Sequence, residues 1–466
     1  MALEGARSEV ATRLDGEALS GAHTAIDASL LAMLAGCGAV VLMLLNKTPL
    51  WLDELQQFGG ARHTTVRQLL DWVAINPGAA PLPYIVQKTV IDLVGFSTFT
   101  ARLPAAICSI ACCAVFTRLC RELDIRWPRV ALILFFLYPL QFRYALEARV
   151  YSQGLLAALL AFWQFLRYLE KPTRLRAVLY GVAVAFGLYS QPFSLLPALG
   201  EVLWLLSTRR PAAVRVLFPF ALSAAAFVPW WVLQQQRQAL NGAPHFFAVA
   251  QIRPVVLIHE LTGGGYFCAI ALAILGCIGY LKGNVPKATR RLLLLSFTSA
   301  MVGPLLADAL FDYFFAPRQL IYCAPSLILL SSIGLERLSA VSRGRALSAV
   351  CLATFILAAG FKDARIATVP KDDLVAGADA VAKLVRTGSC LITAPRNHLV
   401  YYGVVHPEVM RAACADTLTT EEAVAVFSEY SSPSDRNELT NVLRRYNLKR
   451  QVLLNRIEIR IYGLSQ

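Results

Sequence analysis

Charge is scarce in this chain. Of 466 residues only 16% are Asp, Glu, Lys or Arg, while 57% are hydrophobic. A soluble globular chain is about 45–50% apolar and about 25% charged. The composition therefore excludes an ordinary water-soluble domain, and the mean hydropathy of +0.54 agrees. The chain also lacks a Gly-rich phosphate loop, an HExxH signature, an internal repeat and a low-complexity tract. The first two absences argue against P-loop nucleotide chemistry and zincin chemistry. The missing repeat argues against a transporter, because many transporters are built from inverted halves. Residues 1–25 are polar, with no short apolar run before a small-residue cleavage site, so no cleavable signal peptide is expected. Nine of the eleven cysteines lie in or beside apolar segments, at spacings that match no metal motif. Small buried cysteines are ordinary packing residues. Cys390 and Cys414 lie outside those segments and are candidates for a disulfide.

What the chain has in quantity is long apolar segments. A bilayer span needs about 20 mostly apolar residues. Eleven segments qualify: 26–46, 99–117, 130–146, 150–168, 177–190, 192–207, 214–233, 266–281, 292–311, 319–336 and 346–361. The run 81–97 is shorter and carries Gln87, Lys88 and Asp92, so it reads as an interfacial helix. The net charge of +14 would suggest nucleic acid only if the basic residues were not mapped. Mapped, they crowd into short connections, including Arg118–Arg129, Lys171–Arg176, Arg209–Arg215, Lys282–Arg291 and Arg337–Arg345. Loop 47–98 is balanced, with four basic residues and four acids. Lys/Arg-rich short loops mark the cytoplasmic side. The expected protein is an all-α polytopic membrane protein of the cell envelope with about eleven transmembrane helices. It has a cytoplasmic tail (1–25), a membrane core (26–361) with outer loop 47–98, and a small extracytoplasmic α/β domain (362–466). In that domain, residues 376–387 and 419–447 read as helical, 389–394 as a strand, and 451–464 as a strand or hairpin.

On this topology the ionisable groups near membrane depth face one way. Asp53, Glu54, Arg102, Arg143, Glu147, Arg149, His259, Glu260, Asp308, Asp312 and Arg318 all fall at outer span ends or in outer loops. Such groups tend to line a cavity and mark function. Arginine forks suit phosphate, and a carboxylate among them suits general-base work. Each residue also has a plain structural reading. Asp53 can cap a juxtamembrane helix, Glu147 and Arg149 can form a simple ion pair, and Arg318 can snorkel. His259 and Glu260 can be loop residues, and Gly263–Gly265 reads as a loop before a span. Trp230 and Trp231 can belong to an aromatic belt.

Five segments in fixed order carry a resemblance. They are Trp51-Leu52-Asp53-Glu54, Pro81-Leu82-Pro83-Tyr84, Ala101-Arg102-Leu103-Pro104, Glu147-Ala148-Arg149-Val150-Tyr151-Ser152 and Pro317-Arg318-Gln319. Together they resemble the C-type membrane glycosyltransferases (GT-C fold) of the protein O-mannosyltransferase and aminoarabinose transferase superfamily, over residues 26–361. The resemblance implies an enzyme that moves a sugar from a polyprenyl-phosphate carrier to an extracytoplasmic glycan, lipid or protein. It makes Asp53 the general base, with Glu54 orienting the acceptor or holding Asp53. Arg149 and Arg318 would neutralise the carrier phosphate. Glu147 and Tyr151 would lie in the substrate site, and Lys88 and Arg102 are further phosphate candidates. No cofactor is required, although Asp53, Glu54 and Glu147 would offer a divalent-cation site if they converged. The chain departs from the family in three places: Leu82 separates Pro81 from Pro83, Gln319 stands where an aromatic is frequent, and the external domain matches no recognisable acceptor-binding module. The alternatives are a transporter or flippase of a lipid-linked or anionic solute, and a non-catalytic subunit with an enzyme-like core. Membrane lipids are expected partners, nucleic acid is not.

Overall fold

Every apolar segment expected to span forms helix. The computed structural model describes residues 27–61, 65–76, 78–208, 213–241, 266–311, 317–341, 344–371, 374–385, 390–394, 422–428, 433–454 and 457–464. The chain begins with α1 (Ala28–Leu44), then α2 (Leu52–Ala61), α3 (Val66–Ile75), α4 (Pro81–Val94) and α5 (Thr98–Glu122). There follow α6 (Pro128–Phe136), α7 (Pro139–Ala145), α8 (Tyr151–Glu170), α9 (Arg174–Ser190) and α10 (Leu195–Ser207). The membrane core closes with α11 (Ala213–Asn241), α12 (Tyr266–Lys282), α13 (Lys287–Phe311), α14 (Ala324–Ser339) and α15 (Gly344–Thr368). Short 3₁₀ turns, Pro192–Ser194 and Pro317–Cys323, lead into α10 and α14. By length and composition alone, five stretches are fit to cross a bilayer: Thr98–Glu122, Val216–Ala239, Lys287–Leu310, Arg318–Ser339 and Gly344–Thr368. Large apolar side chains such as Val178, Phe218, Leu310, Leu357 and Phe361 stay exposed on helix faces, as lipid contact requires.

Local chemistry explains several boundaries. Asp27 caps α1 by accepting from the Ser29 and Leu30 amides at 2.7 and 3.2 Å. Ser97 and Thr100 form a capping box at the start of α5. The segment 130–146, expected to be one span, is two helices. Pro139 has no N–H and disfavours helix at the residue before it, so α6 ends and α7 starts across Tyr138. Gly279 and Gly334 let α12 and α14 approach closely, since a Cβ at either would overlap the other helix's backbone. Run 81–97 is the helix α4, with Pro81 in its first turn.

Polar contacts sort the helix ends into two sets. One set holds Asp27 with Arg129, Glu122 with Arg167, Glu170 with Arg176, and the Trp127 amide with Glu336. The other holds residues 45–54 with Arg102, Arg149 and Arg318. Contacts within each set join residues that the charge pattern places on one side.

The C-terminal part contains α16 (Leu374–Leu384), α17 (Pro433–Val442) and a four-stranded sheet of β1 (Cys390–Ala394), β2 (Glu422–Ser428), β3 (Tyr446–Leu454) and β4 (Ile457–Leu464). The order is β1-β2-β4-β3, parallel between β1 and β2 and antiparallel elsewhere. Residues 422–428 correct the helical expectation for 419–447. Their alternation is a strand's: Ala423, Ala425 and Phe427 pack with Leu439 and Leu443, while Val424 and Val426 face the opposite core. The alanines mimic a helix in sequence, and burial on both faces decides otherwise. That opposite core also contains Leu374, Ala378 and Val381 of α16, and Leu55 and Phe58 of α2. The small domain therefore shares its core with α2. Cys390 is disulfide-bonded, and Cys414 lies outside the described residues.

Candidate active site

The buried residue Glu54 organises the site. It lies in the first turn of α2, where its Oε2 accepts from the Trp51 amide at 3.2 Å. Glu54, rather than Asp53, thus closes the helix start. Arg102 of α5 grips the same carboxylate with two prongs, Nε to Oε1 at 2.8 Å and Nη2 to Oε2 at 2.7 Å. Both side chains are almost wholly buried, at 2% and 0% exposure. The remaining Arg102 donors reach the carbonyls of Leu45, Thr48 and Pro49 at 2.8–2.9 Å. Arg102 therefore ties the end of α1 to α2. Its donors are committed inside the protein, which corrects its place among the phosphate candidates.

Glu54 also fixes the turn between α7 and α8. Its Oε1 accepts from the Ala148 amide at 2.6 Å. Holding the central residue of Glu147-Ala148-Arg149 sets its two neighbours to different partners. Arg149 turns to Asp53, with Nη2 3.5 Å from Oδ2 and Nη1 donating to the Asp53 carbonyl at 2.8 Å. Glu147 instead pairs with Lys371 at 2.6 Å. Glu147 and Arg149 are thus not partners of one another through their side chains.

Arg318 completes the cluster. It follows Pro317 in the 3₁₀ turn before α14, and its Nη1 donates to Asp53 Oδ2 at 2.7 Å. It points at a carboxylate, not out along a snorkelling path. Its guanidinium also lies 5.9 Å from the Tyr151 ring centroid, and that ring packs on Tyr144. Both arginines engage Oδ2, and Oδ1 of Asp53 makes no hydrogen bond among the described residues. Burial alone would raise the Asp53 pKa. Arg149, Arg318 and Lys371 outweigh it, so the carboxyl titrates below the ordinary carboxylate value. Tyr84 of the Pro81–Tyr84 motif is buried and interacts electrostatically with Arg149, Tyr151 and Asp53.

Two helices (α2 and α8), the turn between α7 and α8, and the 3₁₀ turn before α14 thus deliver Asp53, Arg149, Tyr151 and Arg318 to one place. Lys88 is not drawn in this way; it pairs with Asp92 on its own helix at 2.9 Å. The condition for a cation site among Asp53, Glu54 and Glu147 is not met, because each carboxylate faces a different basic partner. Among the described residues no three His, Cys, Asp or Glu side chains gather as metal ligands. His259, Glu260, Gly263–Gly265 and Asp312 lie outside the described residues. Trp230 leaves the aromatic-belt reading: it is buried and its Nε1 donates to the Ala79 carbonyl at 3.2 Å, while Trp231 remains exposed.

Sequence reasoning missed Lys371. Its Nζ lies 3.6 Å from the Trp51 ring centroid as well as beside Glu147. Burial lowers its pKa more than Glu147 and Asp53 restore it. The available signal was Pro370-Lys371 directly after the last apolar helix, at the end that faces Asp53.

The acid–arginine clusters thus sit on a helical core, with a small α/β domain packed against α2. Residues 78–233 match the family model described as dolichyl-phosphate-mannose-protein mannosyltransferase. The fold is similar to that of ArnT from Cupriavidus metallidurans in the apo state, with a TM-score of 0.58 and 16% identity over 93% of this chain and 98% of that one. It is also similar to ArnT from the same organism bound to undecaprenyl phosphate, with a TM-score of 0.54 and 15% identity over 94% and 98% of the two chains. A search of the curated proteins returns no match. The chain therefore has the GT-C fold of these ArnT structures.

Proposed function

We propose that this protein is a membrane glycosyltransferase that takes a sugar from a polyprenyl-phosphate carrier and passes it to a hydroxyl-bearing acceptor outside the cytoplasm. The observation that carries this reading is the Asp53–Arg149–Arg318 cluster, in which one carboxylate oxygen is held by two guanidiniums and the other is open. The family-model match and the fold of a neighbour captured with undecaprenyl phosphate support the donor class.

The residues divide the work as follows. Asp53 Oδ1 accepts the proton of the acceptor hydroxyl as its oxygen attacks the anomeric carbon. The bond from that carbon to the phosphate oxygen breaks, and the electron pair leaves with polyprenyl phosphate. Arg149 and Arg318 stabilise the charge that develops on the phosphate, commonly a large catalytic term. A carboxylate held below its ordinary pKa is a weak base. The same arginines that hold it down are those that take the phosphate. Sharing them with a bound donor weakens their grip on Asp53 and restores its basicity when the substrate is in place. Glu54 acts as a positioning residue, and Tyr151 supports Arg318 from below. On this reading the Lys/Arg-rich loops are cytoplasmic, and this site and residues 362–466 lie outside.

The test is transfer of radiolabelled sugar from a panel of polyprenyl-phosphate sugars by the purified protein in lipid. Wild type is expected to transfer or release sugar. Asp53→Asn is expected to bind donor and lose about 10²–10⁴-fold in rate, the usual worth of a general base. Lipid binding without turnover by wild type across the panel would overturn the enzymatic reading in favour of a transporter or flippase.

A further inference from the structure

Lys371 stands in the short connection between α15, the last helix of the membrane core, and α16, the first helix of the small domain. From there it touches both stretches of chain that carry the Asp53 cluster. Its ammonium lies 3.6 Å from the centroid of the Trp51 ring, well within the roughly 6 Å over which a cation is drawn to an aromatic face. It also pairs with Glu147 at 2.6 Å. Trp51 stands two residues before Asp53, and Glu147 two residues before Arg149. One side chain thus spans the two stretches whose acid and arginine meet at 3.5 Å.

Each contact falls where it fixes backbone. The Trp51 carbonyl accepts from the Glu54 and Leu55 amides at 2.9 Å and so opens α2. A ring held at that residue holds the first turn of the helix, which contains Asp53. Glu147 opens the turn to Arg149, and its carbonyl accepts from the Arg149 amide at 2.7 Å. Between them, Ala148 belongs to the core that the small domain shares with α2, together with Leu374, Ala378 and Val381 of α16. The small domain therefore reaches the Arg149 turn through that core, and the connection leading to it reaches the same turn through Lys371. The charged groups that act on Lys371 are Glu147, Arg143 and Asp53, and Lys362 and Arg365 of α15 line the same cavity. Asp372 and Asp373 lie outside the described residues. Lys371 is in turn one of three cations that hold the Asp53 carboxyl below its ordinary range.

We propose that Lys371 is a positioning residue: from the connection between the membrane core and the small domain it braces Trp51 and Glu147, and so sets Asp53 against Arg149. This role rests on the transfer reaction proposed above and adds to it a residue that does not touch the reacting atoms. The ammonium is committed to Glu147 and the Trp51 ring, so it acts through them and is not a ligand of the carrier phosphate.

The test uses the full-length protein in lipid, with kcat and donor KM measured across pH for Lys371→Gln, Lys371→Arg and Trp51→Leu. Lys371→Gln is expected to lower kcat about tenfold or more, since small displacements of reacting groups are that costly. Donor KM should stay within about threefold of wild type, as for a group that does not bind the donor. The acidic limb of the pH–rate profile should move up, because one of the cations that favour ionised Asp53 is gone. Lys371→Arg keeps the charge and should restore the limb and most of kcat. Lys371→Gln combined with Trp51→Leu should cost little more than either alone, because both remove one brace; losses that multiply would overturn the inference. If Lys371→Gln does not fold, Trp51→Leu, which keeps the backbone hydrogen bonds of residue 51, must show the same fall in kcat. An infrared titration of Asp53, its band assigned with Asp53→Asn, reads the shift without substrate and so separates the two readings. No turnover by wild type overturns the transfer reaction, whereas an Asp53 titration that Lys371→Gln leaves in place overturns the role of Lys371. Unchanged kcat and acidic limb in Lys371→Gln would also overturn it, as would a KM that changes more than kcat, which would put Lys371 on the substrate.

Discussion

Replacing Glu54 by Gln should damage the fold before it damages the chemistry. The Glu54 carboxylate receives two arginine prongs and the amides of Trp51 and Ala148, all within 3.2 Å. Gln is nearly isosteric, but its NH₂ would face a donor at one of those positions. It also leaves the Arg102 charge buried without its counter-ion. Breaking a buried pair from one side costs about 3–5 kcal/mol, because the surviving charge remains desolvated. Arg102→Gln should cost a similar amount, and the double variant less than the sum, with a coupling of about 0.5–3 kcal/mol. Graded SDS unfolding of the purified protein, followed by near-UV circular dichroism, gives the four corners of that cycle. The reasoning fails if Glu54→Gln stays within about 0.5 kcal/mol of wild type yet abolishes transfer. That result would make Glu54 a group that touches substrate, not the clamp that sets Ala148 and, through it, Arg149.

Arg149→Ala is expected to slow transfer about 10²–10³-fold, the usual cost of one charge-stabilising donor; unchanged kinetics would reduce Arg149 to an ion-pair partner of Asp53. Arg318→Gln should move the acidic limb of the pH–rate profile upward. The sign follows from the site: Asp53 must be ionised, its folded-state pKa lies below the ordinary value of about 3.9, and Arg318 is one of the groups that lower it. Wild-type activity therefore persists as pH falls past that value, whereas the stability Asp53 contributes is full above it and declines as pH falls from it through the lower folded-state pKa; the variant loses activity earlier, and coincident limbs would refute the electrostatic account. Deleting residues 374–466 should loosen the outer loop, since Leu55 and Phe58 lose their cover at about 1.5–3 kcal/mol each. Limited proteolysis within 47–98 reads this directly, and unchanged protection would show that the small domain merely sits on the loop.

Much of the membrane core is legible in sequence because lipid imposes a simple rule. Long apolar runs become helices when no water is present to satisfy the backbone, and all eleven segments do so. The break at Pro139 was also written in the chain, since a proline ends the preceding turn. The helical expectation for 419–447 failed for another reason. Ala423–Phe427 acquires its strand character from neighbours on both sides, β1 in parallel and β4 antiparallel. Nothing local to that run distinguishes a strand buried on two faces from a helix.

The site divides along the same line. Asp53, Arg149, Tyr151 and Arg318 stand out because a charged or hydroxyl-bearing group at the mouth of an apolar segment has few inexpensive places to go. Their selection from sequence is a matter of membrane energetics. Which acid meets which base is not. In sequence, Glu147 and Arg149 look like a pair, Arg102 looks like a phosphate ligand, and Asp53 looks like the cap. In the structure Glu54 takes the capping amide, Arg102 and the Ala148 amide together. That one buried carboxylate frees Asp53 for the two arginines and sends Glu147 toward Lys371, a residue more than 200 positions away in the chain. Pairings of this kind depend on how far α5, the 147–149 turn and the end of α15 approach one another, which is a property of helix packing and leaves no local mark. The acid that looks redundant beside Asp53 is the one that assigns every other partner in the site.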